Sequence, residues 1–111
     1  MEIKQYEIWL ANLNPSKGTE PGKIRPVIII QTNLLNGVHP STVVCPVTSN
    51  VIPNAQLLRV RLDKGQTDVV SDVLVDQIRA IDNKRFIQRI GRLNDVQIHV
   101  LKQNLMIVLD L

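Results

Sequence analysis

A mainly β fold closed by one helix, either a strongly curved sheet or a small barrel, is what this sequence predicts. Short β-branched and apolar runs recur as far as Ile81, each bounded by Pro, Gly or Asn, which is the pattern of successive strands. After Gly91 the apolar spacing changes from strand-like to helical. The length of 111 residues leaves room for one hydrophobic core, so strands and helix must share it within a single domain spanning 1–111.

Taken in order, residues 6–13 are rich in Ile, Trp and Leu and stop at the breaker pair Asn14-Pro15, which predicts a first strand. Residues 14–24 (NPSKGTEPGKI) carry prolines, glycines and charges of both signs without a period, and read as a surface loop of the kind that carries binding groups. Residues 26–31 (PVIIIQ) form a β-branched run long enough for a strand buried on both faces. Residues 42–47 (TVVCPV) are similar, with Pro46 expected to mark an edge or a bulge. Asn36-Gly37 is a turn signal between them. Residues 58–62 (LRVRL) alternate as a half-exposed strand should, and Val73-Leu74-Val75 with Ala80-Ile81 suggest one or two more. Asn94 is a plausible N-cap with Gln97 three residues on, and Val100, Leu101, Leu105, Val108 and Leu109 keep helical spacing.

The composition narrows the class. Hydrophobic residues at 44% and charged residues at 21% suit a folded soluble protein, and with Tyr6, Trp9 and Phe86 as the aromatics the core must be aliphatic. The net charge of +3 is too small to identify a partner by itself. Its distribution is more telling, because Arg79, Lys84, Arg85, Arg89 and Arg92 face only Asp76 and Asp82 in the same stretch, a solvated basic face or an anion-binding one. Cys45 is the single cysteine, so an intrachain disulfide and a Cys-based zinc site are excluded. The charged N-terminus and the lack of a long apolar run argue against a signal peptide and a membrane span, and a cytoplasmic location is the expectation.

The usual catalytic sets are missing. His39 and His99 stand far apart in different expected elements, no HxxxH or carboxylate cluster suggests a metal, and no phosphate-cradling glycine motif or nucleophile elbow occurs. What remains is the polar loop leading into Arg25-Pro26. The residue before a proline is pushed into extended geometry, so Arg25 is held at a strand mouth, where a guanidinium can grip a phosphate through parallel hydrogen bonds. Pairing with a nearby acid such as Glu7 is the other reading. Thr48, Ser49 and Asn50 follow an apolar strand and offer hydroxyl and amide donors, or an ordinary turn.

The order of these pieces resembles the MazF/PemK family of toxin endoribonucleases. The resemblance rests on Glu7-Ile8-Trp9, the loop 14–20, Arg25-Pro26-Val27-Ile28-Ile29-Ile30, Pro46-Val47-Thr48-Ser49 and Asp76-Gln77-Ile78-Arg79, and covers nearly the whole chain. It departs where Tyr6-Glu7 stands in place of a frequent Gly-Asp and Thr19 in place of a frequent Ser. The resemblance implies a small SH3-like β-barrel of the MazF/PemK/CcdB type with a C-terminal amphipathic helix, a homodimer, and neutralisation by a cognate MazE-like antitoxin. It further implies cleavage of single-stranded RNA by attack of the 2′-hydroxyl on the adjacent phosphorus, giving a 2′,3′-cyclic phosphate and a 5′-hydroxyl without metal or cofactor. Arg25 and Thr48 match the family's catalytic positions. Lys17, Thr19, Glu20, Ser49, Asp76, Gln77, Arg79 and Arg85 match or flank positions expected to contact RNA. A toxin of the CcdB kind, acting by protein contact on DNA gyrase, and an RNA-binding module without turnover are the competing expectations on the same fold.

Overall fold

Strand alternation sorts the apolar residues onto two faces of one sheet. In the computed structural model, which describes residues 2–14, 18, 23–53 and 58–111, β1 (Glu7–Asn12) lies between β2 (Ile24–Ile29) and β7 (Phe86–Arg92), both antiparallel to it. Ile8 faces Ile28 across the β1–β2 ladder and Trp9 faces Val27, so the two pairs point to opposite sides. Ile28 joins Cys45, Val60, Leu62, Val73, Leu93 and Leu101 in one cluster. Trp9 and Val27 join Leu13, Ile29, Val44 and Ile81 in the other, where the Trp9 ring meets Phe86 edge-on with centroids 5.9 Å apart. This two-sided burial is why the run through Val27, Ile28 and Ile29 is apolar without alternation.

The described strands form one sheet in the order β4 (Arg59–Leu62), β5 (Ser71–Leu74), β3 (Ser41–Thr48), β2, β1, β7, while β6 (Arg79–Asp82) pairs with β3 off this path. Pro46 does not mark an edge. It sits inside β3, where the strand's neighbour on one side changes from β6, paired with residues 41–44, to β5, paired with Val47 and Thr48. A proline has no N–H for a ladder, and the change of neighbour falls at the position where none is needed. Short 3₁₀ turns at Val75–Gln77 and Asn83–Arg85 join β5 to β6 and β6 to β7.

The sheet curls until its two ends meet. In the loop 63–70 after β4, Gln66 donates through Nε2 to the Arg92 carbonyl at 3.1 Å, reaching β7 at the far end of the strand order. A Cβ on Gly91 would stand 3.4 Å from the Gln66 carbonyl oxygen, so a glycine permits this approach. Bulges between Ile8 and Trp9 and between Leu10 and Ala11 in the β1–β7 ladder supply the bend.

Helix α1 (Asp95–Leu109) begins with the capping box expected from Asn94 and Gln97, each side chain bonding the other's backbone N–H at 2.9 Å. Its inner face is narrow. Leu101 is fully buried, Val100, Leu105 and Val108 pack half-buried against the core, and Leu109, expected on the apolar stripe, is exposed. Polar groups do the rest of the docking, since Gln97 donates to the Arg61 carbonyl at 2.9 Å and Asn104 to the Arg59 carbonyl at 3.0 Å, both on β4.

Tyr6, where the resembling family often carries Gly, has a left-handed backbone with φ of 70°. Two backbone bonds hold it there, its N–H to the Ile29 carbonyl at 2.7 Å and its carbonyl to the Leu93 N–H at 2.9 Å. A side chain in this region is strained by about 1 kcal/mol or more. Packing of the ring against the main core and beneath the Lys102 ammonium, 5.9 Å away, offsets it.

Candidate functional site

Arg25 and Thr48 come together because they occupy matching ends of adjacent strands. The β2–β3 ladder pairs Val27 with Pro46, and each member of the pair stands two residues from Arg25 or Thr48 respectively. With a period of two, both side chains project from the same face of the sheet as that pair. Both are half-buried, near the start of β2 and at the end of β3. Thr48 Oγ1 accepts the Asn50 N–H at 3.1 Å, a local turn that engages one lone pair.

Glu7, the acid that sequence offered Arg25, is held elsewhere. Its carboxylate receives Arg89 Nε at 2.6 Å, Trp9 Nε1 at 3.1 Å and the Lys4 N–H at 2.8 Å.

An open cleft of about 870 Å³ lies alongside, with Leu10, Pro26, Val47 and Ile90 among its walls and Lys23, Lys64 and Gln88 on its polar border. Pro26 and Val47 alternate with Arg25 and Thr48, so most of this cleft belongs to the opposite face of β2 and β3. Arg25 and Ser49 line it, whereas Thr48 does not. The strand mouth, where Arg25 and Thr48 share a face, therefore adjoins the cleft, and Arg25 and Ser49 connect the two.

The other expected contacts take different places relative to this pair. Ser49 is exposed directly after Thr48. Asp76 and Gln77 occupy the 3₁₀ turn after β5, Asp76 exposed and Gln77 half-buried with Oε1 enclosed and lacking a hydrogen-bond partner. Arg79 lies opposite Val44, at the other half of β3 from Thr48, so it is farther from the pair than its sequence motif suggests. Arg85 donates from one guanidinium nitrogen to the carbonyls of Asn12, at 2.9 Å, and Asn14, anchoring the end of β1 where the loop begins. Lys17, Thr19 and Glu20 lie outside the described residues. His39 bonds locally to Ser41, at 3.2 Å, and His99 is exposed on the helix. Among the described residues no three His, Cys, Asp or Glu side chains gather as a metal site, and no helix is long and apolar enough to cross a membrane.

Sequence reasoning missed a charged cluster beside Thr48. Asp72 stands directly opposite Thr48 across the β3–β5 ladder and opposite Arg61 across β4–β5. It is only 1% exposed, and it receives Arg61 Nε at 2.6 Å and Arg59 at 3.1 Å. The alternation of residues 58–62 already set both arginines on one face, but the acid between them becomes visible only with the strand register.

The chain compares closely with known proteins. The family described as PemK-like, MazF-like toxin of type II toxin–antitoxin system matches residues 4–109. Endoribonuclease EndoA of Bacillus subtilis is 30% identical over 113 residues, covering 100% of this chain and 97% of that protein. Among solved structures, MazF of Deinococcus radiodurans superposes with a TM-score of 0.83 at 22% identity, over 100% of this chain and 99% of the other. Mycobacterium tuberculosis toxin MazF-mt6 superposes at 0.78 with 24% identity, covering 95% and 97%. A MazE–MazF structure from Deinococcus radiodurans gives 0.80 at 20% identity, over 100% and 99%. With the family matched over nearly its whole length and the curled sheet and closing helix shared with MazF structures, this chain belongs to the PemK-like, MazF-like toxins of type II toxin–antitoxin systems.

Proposed function

We propose that this toxin is a sequence-specific endoribonuclease that cleaves single-stranded RNA at the mouth formed by β2 and β3. The observation that carries the reading is the placement of Arg25 and Thr48 on one face at adjacent strand ends. The similarity to Endoribonuclease EndoA supports the same activity.

The nucleophile belongs to the substrate. Attack by a ribose 2′-hydroxyl on the neighbouring phosphorus forms the new O–P bond as its proton passes to solvent water, and the P–O5′ bond breaks with the electron pair going to the 5′-oxygen, which takes a proton from water. The products are a 2′,3′-cyclic phosphate and a 5′-hydroxyl. The protein aligns the RNA backbone and meets the charge that develops on the phosphorane oxygens. Arg25 supplies a permanent cation with several donors, and Thr48 donates its hydroxyl proton to a phosphate oxygen. A guanidinium is a poor general base, so Arg25 acts by charge rather than by accepting the 2′-hydroxyl proton.

Ser49 follows Thr48 directly, and with Asp76 and Gln77 on the turn after β5 it offers acceptors and donors suited to base edges, which are accessible in an unpaired strand. Lys17, Thr19, Glu20 and Arg79 complete the proposed RNA-contacting set, with Arg85 bonded to the Asn12 and Asn14 carbonyls at the end of β1. A homodimer and a MazE-like antitoxin are the proposed protein partners, the second supported by the MazE–MazF complexes among the similar structures.

Incubating the purified chain with a long RNA in EDTA, mapping the cuts and assaying the new ends tests the reading. Recurrent cuts at a short sequence, bearing cyclic phosphate and 5′-hydroxyl ends, are expected. Intact RNA would overturn the endoribonuclease reading, and cleavage that EDTA abolishes would overturn the metal-independent mechanism.

A further inference from the structure

We propose that Arg59, held by the buried carboxylate of Asp72, is a positioning residue that fixes the turn carrying Thr48 and so directs the Thr48 hydroxyl. The proposal rests on the endoribonuclease reading and adds to it residues outside the motifs that the chain shares with its family.

The connection is a continuous chain of polar contacts. Asp72, opposite Thr48, is 1% exposed and receives Arg59 at 3.1 Å through Oδ2. The same Arg59 nitrogen donates to the Asn50 carbonyl at 2.9 Å. The Asn50 N–H in turn reaches Thr48 Oγ1 at 3.1 Å. The strut starts on a fixed base, because Asn104 of the closing helix bonds the Arg59 carbonyl at 3.0 Å and Arg61 occupies the second oxygen of Asp72 at 2.6 Å.

Each link suits an orienting role. Thr48 is the last residue of β3, and beyond it Ser49 and Asn50 have no strand to hold them. Arg59 supplies that support from β4. A threonine hydroxyl has one proton and two lone pairs, so occupying a lone pair with the Asn50 N–H narrows the directions in which the proton can point. A planar, rigid guanidinium holds the carboxylate and the carbonyl in a fixed arrangement more firmly than an ammonium on a flexible four-carbon stem would. The burial of Asp72 also favours geometry over stability as the purpose. An ion pair taken out of water contributes little net stability compared with apolar packing, but it holds its members in one arrangement.

A double-mutant cycle tests the proposal. Single-turnover cleavage and RNA binding are measured for the wild-type chain, Arg59→Met, Thr48→Val and the double variant, each checked for folding by circular dichroism and thermal melting. Arg59→Met is expected to lower the cleavage rate about tenfold or more while changing RNA affinity by less than about twofold, since a small misplacement of a reacting group costs rate rather than binding. In the Thr48→Val background the same change should cost less than about twofold, because the group it orients is gone. Arg59→Lys, which keeps the charge on a more flexible stem, should recover only part of the rate. Should Arg59→Met fail to fold, Asp72→Asn, of nearly the same shape, replaces it in the cycle with the same coupling expected.

An unchanged rate for Arg59→Met, or an equal loss in both Thr48 backgrounds, overturns the proposal while leaving the endoribonuclease reading intact. A wild-type chain that cuts no RNA overturns both. If Thr48→Val cleaves at the wild-type rate, Thr48 itself leaves the mechanism and the positioning role goes with it.

Discussion

Arg89 closes on Glu7 with 2.6 Å between Nε and Oε2, joining β7 to β1 across the sheet. The other carboxylate oxygen binds Trp9 Nε1 and the Lys4 N–H, so one acid organises the entry to β1. The sequence alone allowed Glu7 to neutralise Arg25. Its placement instead draws one arginine of the basic stretch into the framework.

Glu7→Ala should therefore lower stability by about 1–3 kcal/mol, because it strands the indole N–H of buried Trp9 and the Arg89 cation. Glu7→Gln should cost less, since an amide oxygen still accepts from Trp9. Urea denaturation of the two variants checks the order, and equal losses would show that the charge alone matters.

Cys45 lies at 0% exposure in the main core, and burial, with a smaller contribution from the Asp76 charge, pushes its thiol up from 9.0 to about 12. The folded chain thus retains the Cys45 proton where the unfolded chain releases it. The associated stability is fully present below pH 9 and is lost as pH rises towards 12, with a slope of up to about 1.4 kcal/mol per pH unit. The stability difference between the wild-type chain and Cys45→Ala should shrink as pH rises above 9. A constant difference would contradict this burial. The same site predicts slow reaction of Cys45 with a thiol reagent until the chain unfolds.

Asp110 ends α1 in the left-handed conformation, with φ of 55°. The Leu111 N–H returns to the Met106 carbonyl at 2.9 Å, completing the termination. Asp110 combines a strained backbone with a negative charge at the negative end of the helix dipole. Asp110→Gly removes both and should stabilise the chain by about 0.5–1 kcal/mol. A rise in melting temperature checks it, and an unchanged or lower value would show that the Asp110 side chain contributes more than its strain removes.

Much of the fold was legible because its apolar residues had only a few places to go. The runs around Ile8, Ile28 and Val44 are central strands, and the capping pair Asn94 and Gln97 marked the start of the helix. Strand β7 escaped because Ile87, Gln88 and Arg89 are all exposed, so the segment shows no alternation and reads as a basic surface. Pro46 misled for a different reason, since the change of neighbour along β3 is a property of the whole sheet. At the candidate site, Arg25 and Thr48 were singled out from motif order as the proposed pair, and their common face follows once β2 and β3 are in register. The Asp72 cluster was not, because an acid between Ser71 and Val73 looks like surface until β4 and β3 flank it. Tyr6 stood out in sequence as a departure, and its positive φ supplies the physical reason glycine suits that position.

In the proposed reaction the Arg25 guanidinium stabilises the charge that develops as an RNA linkage breaks. The most direct measurement compares single-turnover cleavage of one single-stranded RNA by the wild-type chain and a folded Arg25→Ala variant at saturating protein. A loss of about 100-fold to 1000-fold, with the cut position unchanged, is the predicted result. Cleavage by the variant at close to the wild-type rate would contradict the account.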